Sequence, residues 1–155
     1  MEDTEAIGVD WGTSSFRAYR LGETGEMLEA RAAPAGILAV DDGGFEGALE
    51  HLIGDWLDAS PDAPIVLSGM IGSRNGWVEA AYLSCPAGLS ELSGALLPVS
   101  LARGRTVHIA PGVSTRDLGG VPDVMRGEET QVLGALTGLD QQVPHIVCLP
   151  GTHSK

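Results

Sequence analysis

The stretch AIGVDWGTSSFRAYRL, residues 6–21, decides the fold. Ala6–Trp11 is a short, largely apolar run that reads as a buried strand, and Ser15–Leu21 alternates like a half-exposed one. Only Gly12-Thr13-Ser14 separates them, so the two are expected to pair as an antiparallel hairpin. Glu23–Glu26 reads as a turn, which brings Met27–Ala33 back as a third strand beside the second. Downstream, the apolar residues Phe45, Leu49, Leu52, Ile53, Trp56 and Leu57 fall at helical spacing, the stripe of an amphipathic helix that the Pro61–Pro64 stretch ends.

Further along, Ile65–Leu67 reads as a buried strand running into the glycine-rich loop SGMIGSRNGW. Residues 78–104 are expected to mix loops with short strands. Thr106–Ala110 reads as a strand, followed by a polar loop to Asp123. Glu128–Leu139 has a helical pattern, and His145–Leu149 reads as a final strand ahead of PGTHSK. The expected class is mixed α/β, with antiparallel opening strands and helices packed on the sheet.

Composition narrows the function. The chain has 155 residues, with 9 Lys+Arg against 21 Asp+Glu and a formal net charge of −12. Such a surface repels phosphate backbones and anionic lipid, so neither nucleic acid nor a membrane is the expected partner. No run approaches the roughly 18 apolar residues of a membrane span, and the acidic N-terminus is unlike a secretory signal; a cytoplasmic location is expected. Cys85 and Cys148 make neither a disulfide framework nor a zinc site. Glycine, at 22 residues, is in excess, which suggests tight turns and backbone held close to a ligand.

Three segments carry candidate chemistry. In the first, Asp10 leaves the end of a strand and is followed by Gly12, Thr13 and Ser14. Turn N–H groups and hydroxyls suit phosphate oxygens, and a single carboxylate suits Mg²⁺, which keeps several waters. An Asp-containing hairpin without a ligand would have the same letters. In the second, Arg126-Gly127-Glu128-Glu129 opens a helix. Two acids there complement the helix dipole, and one of them facing a cleft could accept a proton from an attacking hydroxyl. Adjacent helical positions point about 100° apart, so at most one is expected to serve. In the third, Gly151-Thr152-His153-Ser154-Lys155 is again a strand, glycine and hydroxyl turn.

Asp10–Leu21, Ser68–Tyr82, Val124–Ala135 and Leu149–Lys155, in that order, resemble successive blocks of the 2-dehydro-3-deoxygalactonokinase family, a branch of the sugar kinase, Hsp70 and actin superfamily. The resemblance implies an actin-like, ribonuclease H-like fold. It also implies ATP-dependent phosphorylation of a 2-keto-3-deoxy sugar acid, with ATP and Mg²⁺ as cofactors. Family members are about twice as long, so residues 1–143 are expected to form the first domain and 144–155 the first strand and phosphate turn of the second. The adenosine pocket of the superfamily sits mainly in that second domain, so the isolated 155 residues are expected to be inactive.

By position, Asp10, Gly12, Thr13 and Ser14 match the first phosphate turn of the family, with Asp10 as the metal residue, and Gly151, Thr152 and Ser154 match the second. Glu128 and Glu129 fall where relatives carry a catalytic Asp: a Gly-Asp pair favours Glu128, an Asp-Thr pair favours Glu129. For the sugar acid, Ser73, Arg74, Asn75, Trp77 and Arg126 are the candidates, since a keto acid needs neutral donors and a cation. Either Arg74 or Arg126 can clamp its carboxylate. Two rivals remain at this stage: a polyphosphate or guanosine pentaphosphate phosphatase of the same superfamily, and a non-catalytic actin-like fragment. Homo-oligomerisation is left open.

Overall fold

The computed structural model describes residues 4–41, 44–151 and 154–155. Ala6–Trp11 (β1), Phe16–Leu21 (β2) and Met27–Ala33 (β3) form an antiparallel meander, with Asp10 opposite Arg17 in the first pair. Phe45–Ala59 (α1) then crosses to Ile65–Ser68 (β4), which runs parallel to β1 with Ser68 beside Asp10. Tyr82–Ser84 (β5), a short helix Leu89–Gly94 (α2), Leu97–Ser100 (β6) and Thr106–Ile109 (β7) follow. Gly112–Arg116 (β8), Pro122–Met125 (β9) and Glu128–Leu136 (α3) complete the elements.

The main sheet has the order β3-β2-β1-β4-β7-β6, and a second sheet has the order β5-β8-β9. This is the mixed α/β, actin-like class that the sequence indicates.

Alternation along the strands decides which face is buried. Ile7, Val9 and Trp11 of β1, Phe16 and Ala18 of β2, Ile65 and Leu67 of β4, and Val107 and Ile109 of β7 meet Leu49, Ile53 and Trp56 of α1. Trp11 anchors the layer, edge-on to Phe16 at 5.0 Å and to Phe45 at 5.8 Å, while its indole N–H donates to the Ala35 carbonyl at 2.8 Å. Gly8 and Asp10, the alternate residues of β1, belong to the opposite face. The core therefore holds the end of β1 rigid and leaves Asp10 pointing away from it.

The outer strands differ in chemistry. On β3, Arg31 forms a bidentate pair with Asp55 of α1 and stacks over Trp56 at 4.3 Å, with Glu29 at 3.3 Å. On β6 the backbone includes Pro98. Among the described residues no helix is long and apolar enough to cross a membrane.

Three sequence expectations change. The segment expected to be a polar loop up to Asp123 contains β8 and β9, joined by a turn in which the Asp117 carboxylate accepts from the N–H groups of Gly119 and Val121. The 78–104 segment contains α2 besides its short strands. Residues 145–149, expected as a strand, are not one: no neighbouring strand lies beside them among the described residues, and Ile146 is fully exposed. An apolar run becomes a strand only where a ladder partner accepts its hydrogen bonds.

Candidate functional site

Two glycines build the site. At the end of β4, Gly69 has φ 96°, and a Cβ there would come within 2.9 Å of the Trp11 carbonyl oxygen and 3.2 Å of an Asp10 carboxylate oxygen. At the start of α3, Gly127 has φ 109°, and its Cβ would lie 3.1 Å from the Cα of Gly69. Both backbones adopt conformations that side chains resist, and both approaches need the missing Cβ. Together they draw the N-terminus of α3 against the carboxyl ends of β1 and β4.

This contact brings Asp10, Glu128 and Glu129 into one neighbourhood. Asp10 pairs with Arg17 at 3.7 Å, a consequence of the hairpin register. Burial raises its pKa; Arg17 opposes the rise, and the negative charge of Glu128 adds to it. Glu129 is buried and folds back so that both carboxylate oxygens accept from the Gly127 N–H, at 2.9 and 2.7 Å. Burial raises its pKa against those hydrogen bonds. Glu128 is only half-buried, and its Oε2 accepts from the Arg126 N–H at 2.9 Å. The two acids thus differ: Glu129 is committed to the helix start, while Glu128 keeps one oxygen with no partner among the described residues.

A cleft of about 630 Å³ opens beside this cluster, with Asp10, Arg17, Ser68, Gly127 and Thr130 among its walls. Just beyond Asp10 in the chain, the Gly12–Ser15 turn is closed by a Gly12 N–H to Ser15 carbonyl bond of 2.9 Å. The Gly12 and Thr13 carbonyls accept from the N–H groups of Ile37 and Leu38. Thr13 and Ser14 are exposed residues, and no hydrogen bond from their side chains or N–H groups is made among the described residues. The turn therefore keeps unpartnered donors while three of its carbonyls are occupied, which suits an anion.

The loop after β4 lines two further cavities. One, of about 500 Å³, has Phe45, Arg74, Asn75 and Trp77 in its wall, with Trp77 stacked on Phe45 at 6.2 Å. The other, of about 320 Å³, joins Ser73, Arg74, Asn75, Tyr82 and Arg126. Ser73 donates to the Met70 carbonyl at 2.7 Å, and Arg74, largely exposed, reaches Glu79 at 3.9 Å. Arg126 is buried, with its guanidinium 4.1 Å over the Tyr82 ring.

The five candidate sugar-acid residues thus line two adjacent cavities, and the two acids and Asp10 cluster beside Gly127. The second candidate turn stands apart. Thr152 and His153 lie outside the described residues, and no hydrogen bond or ion pair among the described residues links Gly151 or Ser154 to the Asp10 turn. Instead Leu149 and Lys155 exchange backbone hydrogen bonds, and the Lys155 ammonium meets Asp123 on the second sheet.

Sequence reasoning assigns no role to Arg17, Gly69 or Tyr82. Arg17 was accessible through the hairpin register, since it lies opposite Asp10; Gly69 and Tyr82 act through partners distant in sequence and leave no local signal. Replacing Gly127 by alanine is expected to destabilise the protein by about 2 kcal/mol, from the left-handed backbone and the contact with Gly69. A urea-denaturation midpoint equal to wild type would show that the corner relaxes freely.

Comparison with known proteins identifies relatives over nearly the whole of this chain. A sequence profile of the 2-keto-3-deoxy-galactonokinase family matches residues 10–155. A Rhizobium meliloti protein named "Probable 2-dehydro-3-deoxygalactonokinase DgoK1" is 45% identical over 148 residues, 95% of this chain and 47% of that protein. The 2-dehydro-3-deoxygalactonokinase of Escherichia coli K12 is 36% identical over 151 residues, 96% of this chain and again 47% of that protein. The crystal structure of a Sinorhizobium meliloti protein provisionally named 2-dehydro-3-deoxygalactonokinase superposes with a TM-score of 0.80 at 41% identity, covering 96% of this chain and 48% of that one. The chain spans about half the length of the curated relatives it matches. Because the family profile matches residues 10–155, the chain belongs to the 2-keto-3-deoxy-galactonokinase family.

Proposed function

We propose that this chain supplies the acceptor side and two phosphate turns of an ATP-dependent kinase that phosphorylates 2-dehydro-3-deoxy-D-galactonate at its terminal hydroxyl to give the 6-phosphate. The observation that carries this reading is the corner at 126–128. Arg126 lines the cavity beside the 68–82 loop, and Gly127 lines the cleft beside Asp10. The carboxylate of Glu128 follows immediately and senses Asp10. A base standing between an acceptor cavity and a phosphate-binding turn is what phosphoryl transfer needs.

The donor set fits the groups the family implies. Among the described residues no three His, Cys, Asp or Glu side chains could hold a metal, so a fully protein-ligated ion is not supported. One carboxylate beside exposed donors fits Mg²⁺ carried by nucleotide phosphates, with Asp10 as its protein ligand, directly or through water. Mg²⁺, when bound, neutralises charge on the phosphate oxygens. Gly12, Thr13 and Ser14 donate to phosphate oxygens, and Gly151, Thr152 and Ser154 are assigned the same role on the second stretch. Residues 1–143 then form the first domain and 144–155 the opening of the second.

Glu128 is the base. It accepts the proton of the acceptor hydroxyl as that oxygen bonds to the γ-phosphorus and the bond to the β,γ-bridging oxygen breaks. Glu129 holds the helix start instead. Ser73 and Asn75 hydrogen-bond the acceptor, Trp77 walls it in, and Arg74 and Arg126 are the cations available to its carboxylate.

A coupled assay tests the reading. The protein expressed from its complete coding sequence is expected to release ADP only when the sugar acid is present, and to release no phosphate from polyphosphate. Residues 1–155 alone are expected to turn over negligibly. Phosphate release from polyphosphate without ADP would overturn the kinase reading in favour of a phosphatase.

A further inference from the structure

Arg126 is the one buried arginine among the described residues, at 9% exposure. Arg17, Arg20, Arg31, Arg74 and Arg103 each have a carboxylate within ion-pair distance. Arg126 has none among the described residues, in a chain with 21 acidic residues. What it has is neutral: Nη2 donates to the Ala80 carbonyl at 2.8 Å, Nε donates to the Tyr82 hydroxyl at 3.2 Å, and the ring of Tyr82 lies under the guanidinium. Nη1 is enclosed beside Gly72, where a Cβ would come within 3.1 Å of it, and has no hydrogen-bond partner among the described residues. A buried charge normally keeps a counter-ion, because desolvation penalises it otherwise. Here no carboxylate among the described residues lies within ion-pair distance to supply the counter-charge, and Arg126 lines a cavity of about 320 Å³.

We propose that Arg126, oriented by Tyr82, is the seat of the acceptor's carboxylate, and that this pair makes the site select a sugar acid over a neutral sugar. The proposal rests on the kinase reading for the identity of the acid. It also decides between the two candidate cations. Arg74 shares the cavity, but its side chain is 86% exposed and it lies beside Glu79, so its charge is screened and already partnered. Arg126 is desolvated and unneutralised, which is where one carboxylate gains most.

Tyr82 is a positioning residue. Its ring packs on the backbone of Gly112 so closely that a Cβ there would come within 2.6 Å of it, and this fixes the aromatic face on which the guanidinium lies. Arg126 also has a second attachment, since its N–H donates to Glu128. The residue that takes the acid group therefore shares its backbone with the hydrogen bond that orients the proposed base.

The test is calorimetric binding to the protein expressed from its complete coding sequence, with two probes: 2-dehydro-3-deoxy-D-galactonate and its neutral carboxamide. Wild type is expected to prefer the acid by about 10-fold or more, the effect of one charged hydrogen bond. Arg126→Met should raise the acid Kd about 10-fold or more while the amide Kd stays within about 2-fold, and Arg126→Lys should recover part of the loss. Tyr82→Phe keeps the ring and removes the hydroxyl, so a rise of about 3-fold for the acid alone is expected. That variant carries the test should Arg126→Met fail to fold. Arg74→Met should leave the acid-to-amide ratio unchanged.

Equal affinity of wild type for the two probes, or an unchanged ratio in both the Arg126 and the Tyr82 variants, overturns the proposal. A loss confined to Arg74→Met overturns it in favour of Arg74. The kinase reading fails separately: acid binding that depends on Arg126 without acid-dependent ADP release would sink the reading and leave the seat standing.

Discussion

Replacing Glu128 by glutamine is expected to lower kcat about 10³-fold in the protein expressed from its complete coding sequence, within the usual range for loss of a general base. Glutamine keeps an oxygen for the Arg126 N–H, so the corner should hold and the KM values should change little. Glu129→Gln is the control. Its carboxylate is buried with both oxygens on the Gly127 N–H, out of reach of an acceptor, so kcat should stay within about 10-fold of wild type. The reverse order of effects, measured by steady-state kinetics, would transfer the role to Glu129.

Asp10→Asn is expected to cut kcat about 10²-fold or more, because asparagine keeps the hairpin and removes the charge proposed to orient Mg²⁺. Near-normal kcat at saturating Mg²⁺ would reduce Asp10 to a turn residue. The same substitution has a stability consequence of fixed sign. Burial holds the Asp10 carboxyl above its ordinary value, with Glu128 adding to the rise and Arg17 opposing it. A carboxyl whose pKa is higher folded than unfolded binds its proton more tightly in the folded state. Its contribution is therefore best at low pH and declines as pH rises from about 3.9, the unfolded value, through the folded one. Glu129, also raised by burial, acts the same way. Above its folded pKa the ionised Asp10 thus weakens the fold, and in that range Asp10→Asn should denature at higher urea than wild type. A lower midpoint would mean that the Arg17 pair outweighs the burial.

The opening hairpin and α1 were legible because their information is local. Trp11 and Phe16 bracket a turn too short for a crossover, and the Phe45-to-Leu57 stripe has only one face that can be buried. The β8–β9 pair was hidden by its polarity, although the Asp117-to-Gly120 turn signals a hairpin in hindsight. Residues 145–149 misled in the opposite direction, since hydrophobicity does not supply a ladder partner.

At the site, the proposed phosphate turn and the acidic helix start were found as motifs, but their relation was not. The Gly69–Gly127 contact joins positions 58 residues apart by the absence of side chains, and absence has no periodicity. Arg126 was singled out for its place beside the acids; what distinguishes it from Arg74, burial without a counter-ion, exists only once Tyr82 and Ala80 have been folded beneath it.

The two rims of the main sheet bear on how copies of this protein can meet. A bare strand edge invites another strand, and association by edge pairing needs a run of free N–H and C=O groups on a flat, uncharged margin. At one rim β3 presents Glu29 and Arg31, with Arg31 tied back to Asp55, so an incoming strand would have to settle against fixed charge. At the other, Pro98 gives β6 one amide fewer to offer. The sheet therefore resists growth in both directions, and self-association of the folded protein would use side-chain surfaces rather than extension of the sheet.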